Sequence, residues 1–140
     1  MSIGCAIYPQ DAVDQSGLLS CADMALHDLK ARGRGGIRMY DPCMMQMTET
    51  VASQLNLARQ LIRHHTIQPY YQPKVDLNTH RVVGFEALLR WHTTSAQRGY
   101  PAQIAEAFKD YNLASKIGET MQHQVLRDIA KWINLGITPL

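Results

Sequence analysis

Residues 2–40 hold two short apolar runs and one amphipathic stretch, too little to enclose a core. Ser2 to Tyr8 reads as a buried strand stopped by Pro9. Leu18, Ala22, Ala25, Leu26 and Leu29 recur at helical spacing, and Gly33 is placed to end that helix. Gly36 to Tyr40 reads as a second strand. Two strands and one helix leave a face of the sheet uncovered. The first strand also starts almost at residue 1, with no turn or cap before it. Packing alone therefore predicts that the chain is a piece, its first sheet completed by residues that lie outside it.

Asp41-Pro42 is a helix start, with Asp as N-cap and Pro at the first helical position. Met44, Met47, Val51, Leu55, Ala58 and Ile62 follow in steps of three or four. Such a helix is ~35 Å long and can connect two separate bodies. Its methionines are read as adaptable core packing. Two strands are predicted next, Ile67 to Asp76 and Arg81 to Leu89, around a turn at Leu77 to His80. Pro69 and Pro73 make the first of them irregular or an edge strand. A polar loop, Thr93 to Gly99, leads to Pro101 and a short helix using Ile104, Ala107, Phe108 and Tyr111. A longer helix places Ile117, Met121, Val125, Ile129, Trp132 and Ile133 on one face and is capped by Gly136. Ile137 to Leu140 reads as the entry to a further strand. The order is compatible with the start of an α/β barrel.

Apolar residues make up 46% and charged residues 19%, the balance of a soluble globular chain. A net charge of +2 is too small to argue for a nucleic acid polymer or an anionic membrane. With no spanning apolar run and no signal-peptide pattern, the chain is read as cytoplasmic and without a membrane segment. Cys5, Cys21 and Cys43 form no C-x-x-C pair and are expected to be reduced, mostly buried thiols. The histidines lack ligand spacing, and adjacent His64 and His65 would point to different sides of a helix.

Two stretches resemble known bacterial domains. Residues 2–44 carry Ser2-Ile3-Gly4, Tyr8-Pro9, Ala22-Asp23-Met24-Ala25-Leu26, Lys30, Gly33-Arg34 and Tyr40-Asp41-Pro42. They resemble the closing part of a GGDEF (diguanylate cyclase) domain. Residues 57–140 carry Tyr71-Gln72-Pro73, Val75-Asp76, Gly84, Glu86-Ala87-Leu88-Leu89-Arg90-Trp91, Trp132 and Gly136. They resemble the opening part of an EAL (cyclic-di-GMP phosphodiesterase) domain. Glu-Ala-Leu alone carries little information; its setting in GFEALLRW, fourteen residues after the Gln of YQP, is far more specific. The resemblance implies an α/β chain. Residues 1–41 would be the terminal strand–helix–strand of a GGDEF α+β domain, 42–65 a connecting helix, and 66–140 the first part of an EAL-type (β/α) barrel, with both domains incomplete.

For the second stretch the resemblance implies hydrolysis of cyclic di-GMP to the linear dinucleotide with two divalent cations, Mg2+ or Mn2+. Metals neutralise the phosphodiester anion and acidify the attacking water. Glu86 would ligate metal and Arg90 reach a phosphate, the two being the catalytic residues. Gln72, Leu88 and Arg90 would bind substrate. Read without the family, Glu86 is a solvated strand-end charge and Arg90 a surface ion-pair partner. The remaining metal ligands of the family are not in this sequence, so the chain is expected to be inactive alone. For the first stretch, Lys30 and Arg34 match a pair that contacts GTP phosphates, and equally could complement the helix dipole. His27, Leu29 and Gly35 depart from that family's pattern, which counts against cyclase activity. The alternative class is a non-catalytic nucleotide-binding or assembly module. Its open strand edges would pair with a second copy or with the missing domain parts.

Overall fold

The computed structural model describes residues 1–33, 35–92 and 98–136, which divide into two compact units, Met1–Ala52 and Ser53–Leu140. In the first unit, β1 (Ser2–Cys5) and β2 (Gly36–Met39) pair in parallel, from Ser2↔Gly36 to Cys5↔Met39. Parallel neighbours need a crossover, and α1 (Gln15–Ala31) supplies it. The Asp14 carboxylate starts the helix by accepting from Gly17 N at 2.8 Å and Ser16 Oγ at 2.7 Å. These bonds, the Ser16 hydroxyl first, hold its carboxyl below the usual range. Gly4 lets β1 lie close under α1: a Cβ there would stand 2.0 Å from the Ala22 carbonyl oxygen.

Strand alternation turns Ile3, Ile37 and Met39 to the side opposite Gly4, where all three are exposed, Ile37 by 69%. The predicted strand to Tyr8 stops at Cys5, because Ile7 N–H donates to the Asp11 carboxylate at 2.7 Å and the chain turns there. Of the three thiols only Cys21 is buried, and Cys43 is exposed, which corrects the expectation of mostly buried cysteines.

Helix α2 runs from Pro42 to Arg63, with Asp41 Oδ1 accepting from Cys43 N at 2.9 Å. Its predicted apolar stripe is only partly inside: Met44, Ala58 and the unforeseen Leu61 are buried, while Met47 and Val51 are exposed.

The second unit is built on an antiparallel sheet in the order β3 (Ile67–Val75), β4 (Val82–His92), β5 (Arg98–Gly99). Asp76 Oδ1 closes the β3–β4 turn by accepting from Asn78 N, Thr79 N and Thr79 Oγ1 at 2.7 to 3.0 Å. Pro69 and Pro73 are accommodated because β3 is an edge strand. Strand β4 passes the predicted end at Leu89, since Trp91 pairs with Ile67. The predicted loop from Thr93 to Gly99 also needs correction: Arg98 and Gly99 form β5, and residues 93–97 lie outside the described set.

Pro101–Phe108 is a 3-10 segment, and Tyr111 belongs to α3 (Tyr111–Asn134), whose N-cap Asp110 accepts from Asn112 N and Leu113 N. Phe108 and Tyr111 are exposed rather than core residues, and so is Ile133. The core joins Ala58 and Leu61 of α2, Ile67, Leu89 and Trp91 of the sheet, Ile104 and Ala107 of the 3-10 segment, and Leu113 and Ile117 of α3. Gly136, at a φ of 75°, follows the last turn of α3 as expected of a C-terminal glycine. The predicted strand at residues 137–140 lies outside the described residues. Among those described, no helix is long and apolar enough to cross a membrane.

Candidate functional site

Side chains opposed across an antiparallel pair share a face, and alternate residues along a strand return to it. The register therefore sorts the β3–β4 hairpin without ambiguity. Ile67↔Trp91, Pro69↔Leu89, Tyr71↔Ala87 and Pro73↔Phe85 form one face. Gln68↔Arg90, Tyr70↔Leu88 and Gln72↔Glu86 form the other. The first carries the core residues Ile67, Leu89 and Trp91. At its far end the Tyr71 and Phe85 rings lie 4.6 and 5.7 Å from that of Trp132 on α3. Tyr71 donates its O–H to Asp128 Oδ2 at 2.9 Å, and burial first, then this bond, push the phenol pKa up.

Gln72, Glu86, Leu88 and Arg90, all singled out in the sequence, thus stand together on the face the core does not use. Gln72 and Glu86 are exposed register partners, and Leu88 and Arg90 are partly covered. Glu86 forms no ion pair among the described residues. The Arg90 guanidinium sits over the Tyr100 ring, 4.9 Å from its centroid, and Nη1 donates to the Leu89 carbonyl at 2.7 Å. A guanidinium held by a ring face and one carbonyl keeps further N–H donors for an incoming anion.

The face has more members than the sequence reading named. Tyr70 lies opposite Leu88, and its hydroxyl is 3.0 Å from His92 Nε2. His92 continues the Glu86–Leu88–Arg90 alternation by one step, a signal available in the sequence once β4 is extended past Leu89.

A hard divalent cation takes six or more oxygen ligands. Here the described residues offer the Glu86 carboxylate and the Gln72 amide oxygen, and no cluster of three or more His, Cys, Asp or Glu that could hold a metal. They fit one arm of such a site and do not close it.

In the first unit, Lys30 is exposed in the last turn of α1, and Arg34 lies outside the described residues. A cavity of 510 Å³ in that unit is lined by Met24, His27, Met44, Met47 and Val51 among others, and Lys30 is not part of its lining.

The EAL domain family matches residues 55–139. The bifunctional diguanylate cyclase/cyclic di-GMP phosphodiesterase MucR of Pseudomonas aeruginosa is 30% identical over 135 residues, 96% of this chain and 20% of that protein. The cyclic di-GMP phosphodiesterase PdeR of Escherichia coli is 30% identical over 139 residues, 97% of this chain and 20% of that protein. This chain thus spans about a fifth of the length of either relative. A solved structure of the PaMucR phosphodiesterase in complex with c-di-GMP matches with a TM-score of 0.53 at 29% identity, covering 59% of this chain and 34% of that one.

Proposed function

The chain belongs to the EAL domain family over residues 55–139, and from that membership we propose that its β3–β4 hairpin is one wall of a cyclic-di-GMP phosphodiesterase site. The observation that carries this reading is the register. It sets Gln72 opposite Glu86 and returns Leu88 and Arg90 to the same non-core face. Each residue type suits one part of a guanine dinucleotide. Arg90 donates to a phosphodiester anion. Leu88 offers apolar contact to a guanine, and Gln72 can donate and accept along a polar edge. Glu86 is suited to one oxygen-ligand position on a divalent cation. The similarity to the solved c-di-GMP complex supports this ligand class.

With a single carboxylate on the face, the chain's own residues bind and orient; the reading assigns them no turnover by themselves. In the same reading residues 1–41 are the closing strand–helix–strand of a GGDEF domain, residues 42–65 a linking helix and residues 66–140 the opening of an EAL barrel. The parallel β1/β2 pair crossed over by α1 supports the first of these assignments, as does an alignment to MucR that covers 96% of the chain. Lys30 and Arg34 would then be remnants of a GTP phosphate site.

Calorimetric titration of the 140-residue chain with cyclic di-GMP and Mg2+ or Mn2+ tests the proposal, with product analysis on the same samples. Saturable binding with no linear dinucleotide formed is the expected result. Absence of binding would overturn the wall, and release of linear product would overturn the division between binding and turnover.

A further inference from the structure

The geometry points to Arg98 as a second anion-binding group of this face, one that the EAL motif residues do not include. The inference rests on the reading of the face as a cyclic-di-GMP wall. Strand β5 is only two residues long, and Gly99 fixes how it lies. A Cβ at Gly99 would stand 2.0 Å from Trp91 Nε1 and 2.1 Å from Cε2, so the backbone rests directly on the buried indole. With Gly99 pinned to the core side opposite Trp91, its neighbour Arg98, paired with His92, must project to the other side. That is the side of Glu86, Leu88 and Arg90.

The two arginines are held alike. The Arg98 guanidinium lies 5.1 Å from the Tyr70 ring centroid, as that of Arg90 lies 4.9 Å from Tyr100. Tyr70 is itself fixed by its bond to His92, the residue opposite Arg98. Neither arginine pairs with a carboxylate among the described residues. Two like charges on neighbouring strands of one face, stacked on rings and engaged in no ion pair among the described residues, suit a ligand carrying two anions. Cyclic di-GMP has two phosphodiesters. Arg98 takes the second, with Tyr70 presenting its guanidinium.

The test is equilibrium dialysis of cyclic di-GMP against the full chain and four variants: Arg98→Ala, Arg98→Lys, Arg90→Ala and, as an exposed arginine of α3 away from the face, Arg127→Ala. Arg98→Ala is expected to weaken binding about tenfold, the effect of one charge-assisted contact. Arg98→Lys should fall between it and the unaltered chain, keeping the charge but not the planar stack. Arg127→Ala should match the unaltered chain. If Arg90→Ala weakens binding while both Arg98 variants bind like the unaltered chain, the role of Arg98 is overturned and the wall stands. If Arg127→Ala weakens binding as much as Arg98→Ala, the effect is general charge and the inference also fails. No binding by the unaltered chain would overturn the wall and this inference together.

Discussion

Exchanging residues 55–139 into a complete cyclic-di-GMP phosphodiesterase domain and then replacing Glu86 with glutamine should lower turnover by at least about 100-fold, the upper range for disturbing a metal site even beyond its direct ligands. The substitution changes one oxygen to an amide nitrogen and removes a charge, with almost no change in volume. Glu86 is exposed and forms no ion pair among the described residues, so its loss leaves no buried partner unsatisfied. The melting temperature of the exchanged domain should therefore stay where it was. A drop in activity with unchanged stability assigns Glu86 to the chemistry. Activity within a few-fold of the unsubstituted exchange would remove that role.

A substitution on the other face of the same strand should act on folding instead. Trp91 is 1% exposed and pairs in register with the buried Ile67. Cutting it to alanine should cost about 3–5 kcal/mol. Small domains hold only about 5–15 kcal/mol in all, so the second unit should lose much of its cooperative melting. Trp91 Nε1 has no hydrogen-bond partner among the described residues. Phenylalanine keeps the ring volume best and leaves no N–H to satisfy, so Trp91→Phe should cost under about 1.5 kcal/mol. Thermal melts followed by Trp132 fluorescence separate the variants. An alanine variant that melts like the unaltered chain would show that the core is not organised around this indole.

These two residues show how much of the site was legible in the sequence. The predicted strand ends at Leu89, before Arg90 and Trp91; only with β4 reaching His92 does the period of two set Glu86, Leu88 and Arg90 on one face and Leu89 and Trp91 on the other. Motif spacing brought Gln72 to the neighbouring strand, and only the pairing register could place it opposite Glu86. What spacing could not show was β5. Two residues carry no periodicity, and Arg98-Gly99 sits in a polar stretch that reads as loop. Its position depends on a glycine fitting a particular indole, a contact between residues whose shared face is known only once the strands are paired.

The helices show the same limit. Periodicity located α3, yet Ile133 near its end is exposed, because an apolar stripe states which residues could be buried and not what is there to cover them. In the first unit, packing argued that one side of a two-stranded sheet would be bare, and Ile3, Ile37 and Met39 are exposed on the side away from Gly4.

In the proposed site one face of a single hairpin carries the ligand while the other carries the core. NMR titration of the labelled chain with cyclic di-GMP reads both faces at once. Shifts concentrated on the side chains of Gln72, Glu86, Leu88 and Arg90, with the Leu89 methyls and the Trp91 indole unmoved, are the predicted result. Saturable shifts confined to the Leu89 and Trp91 face, or to the first unit, would contradict it.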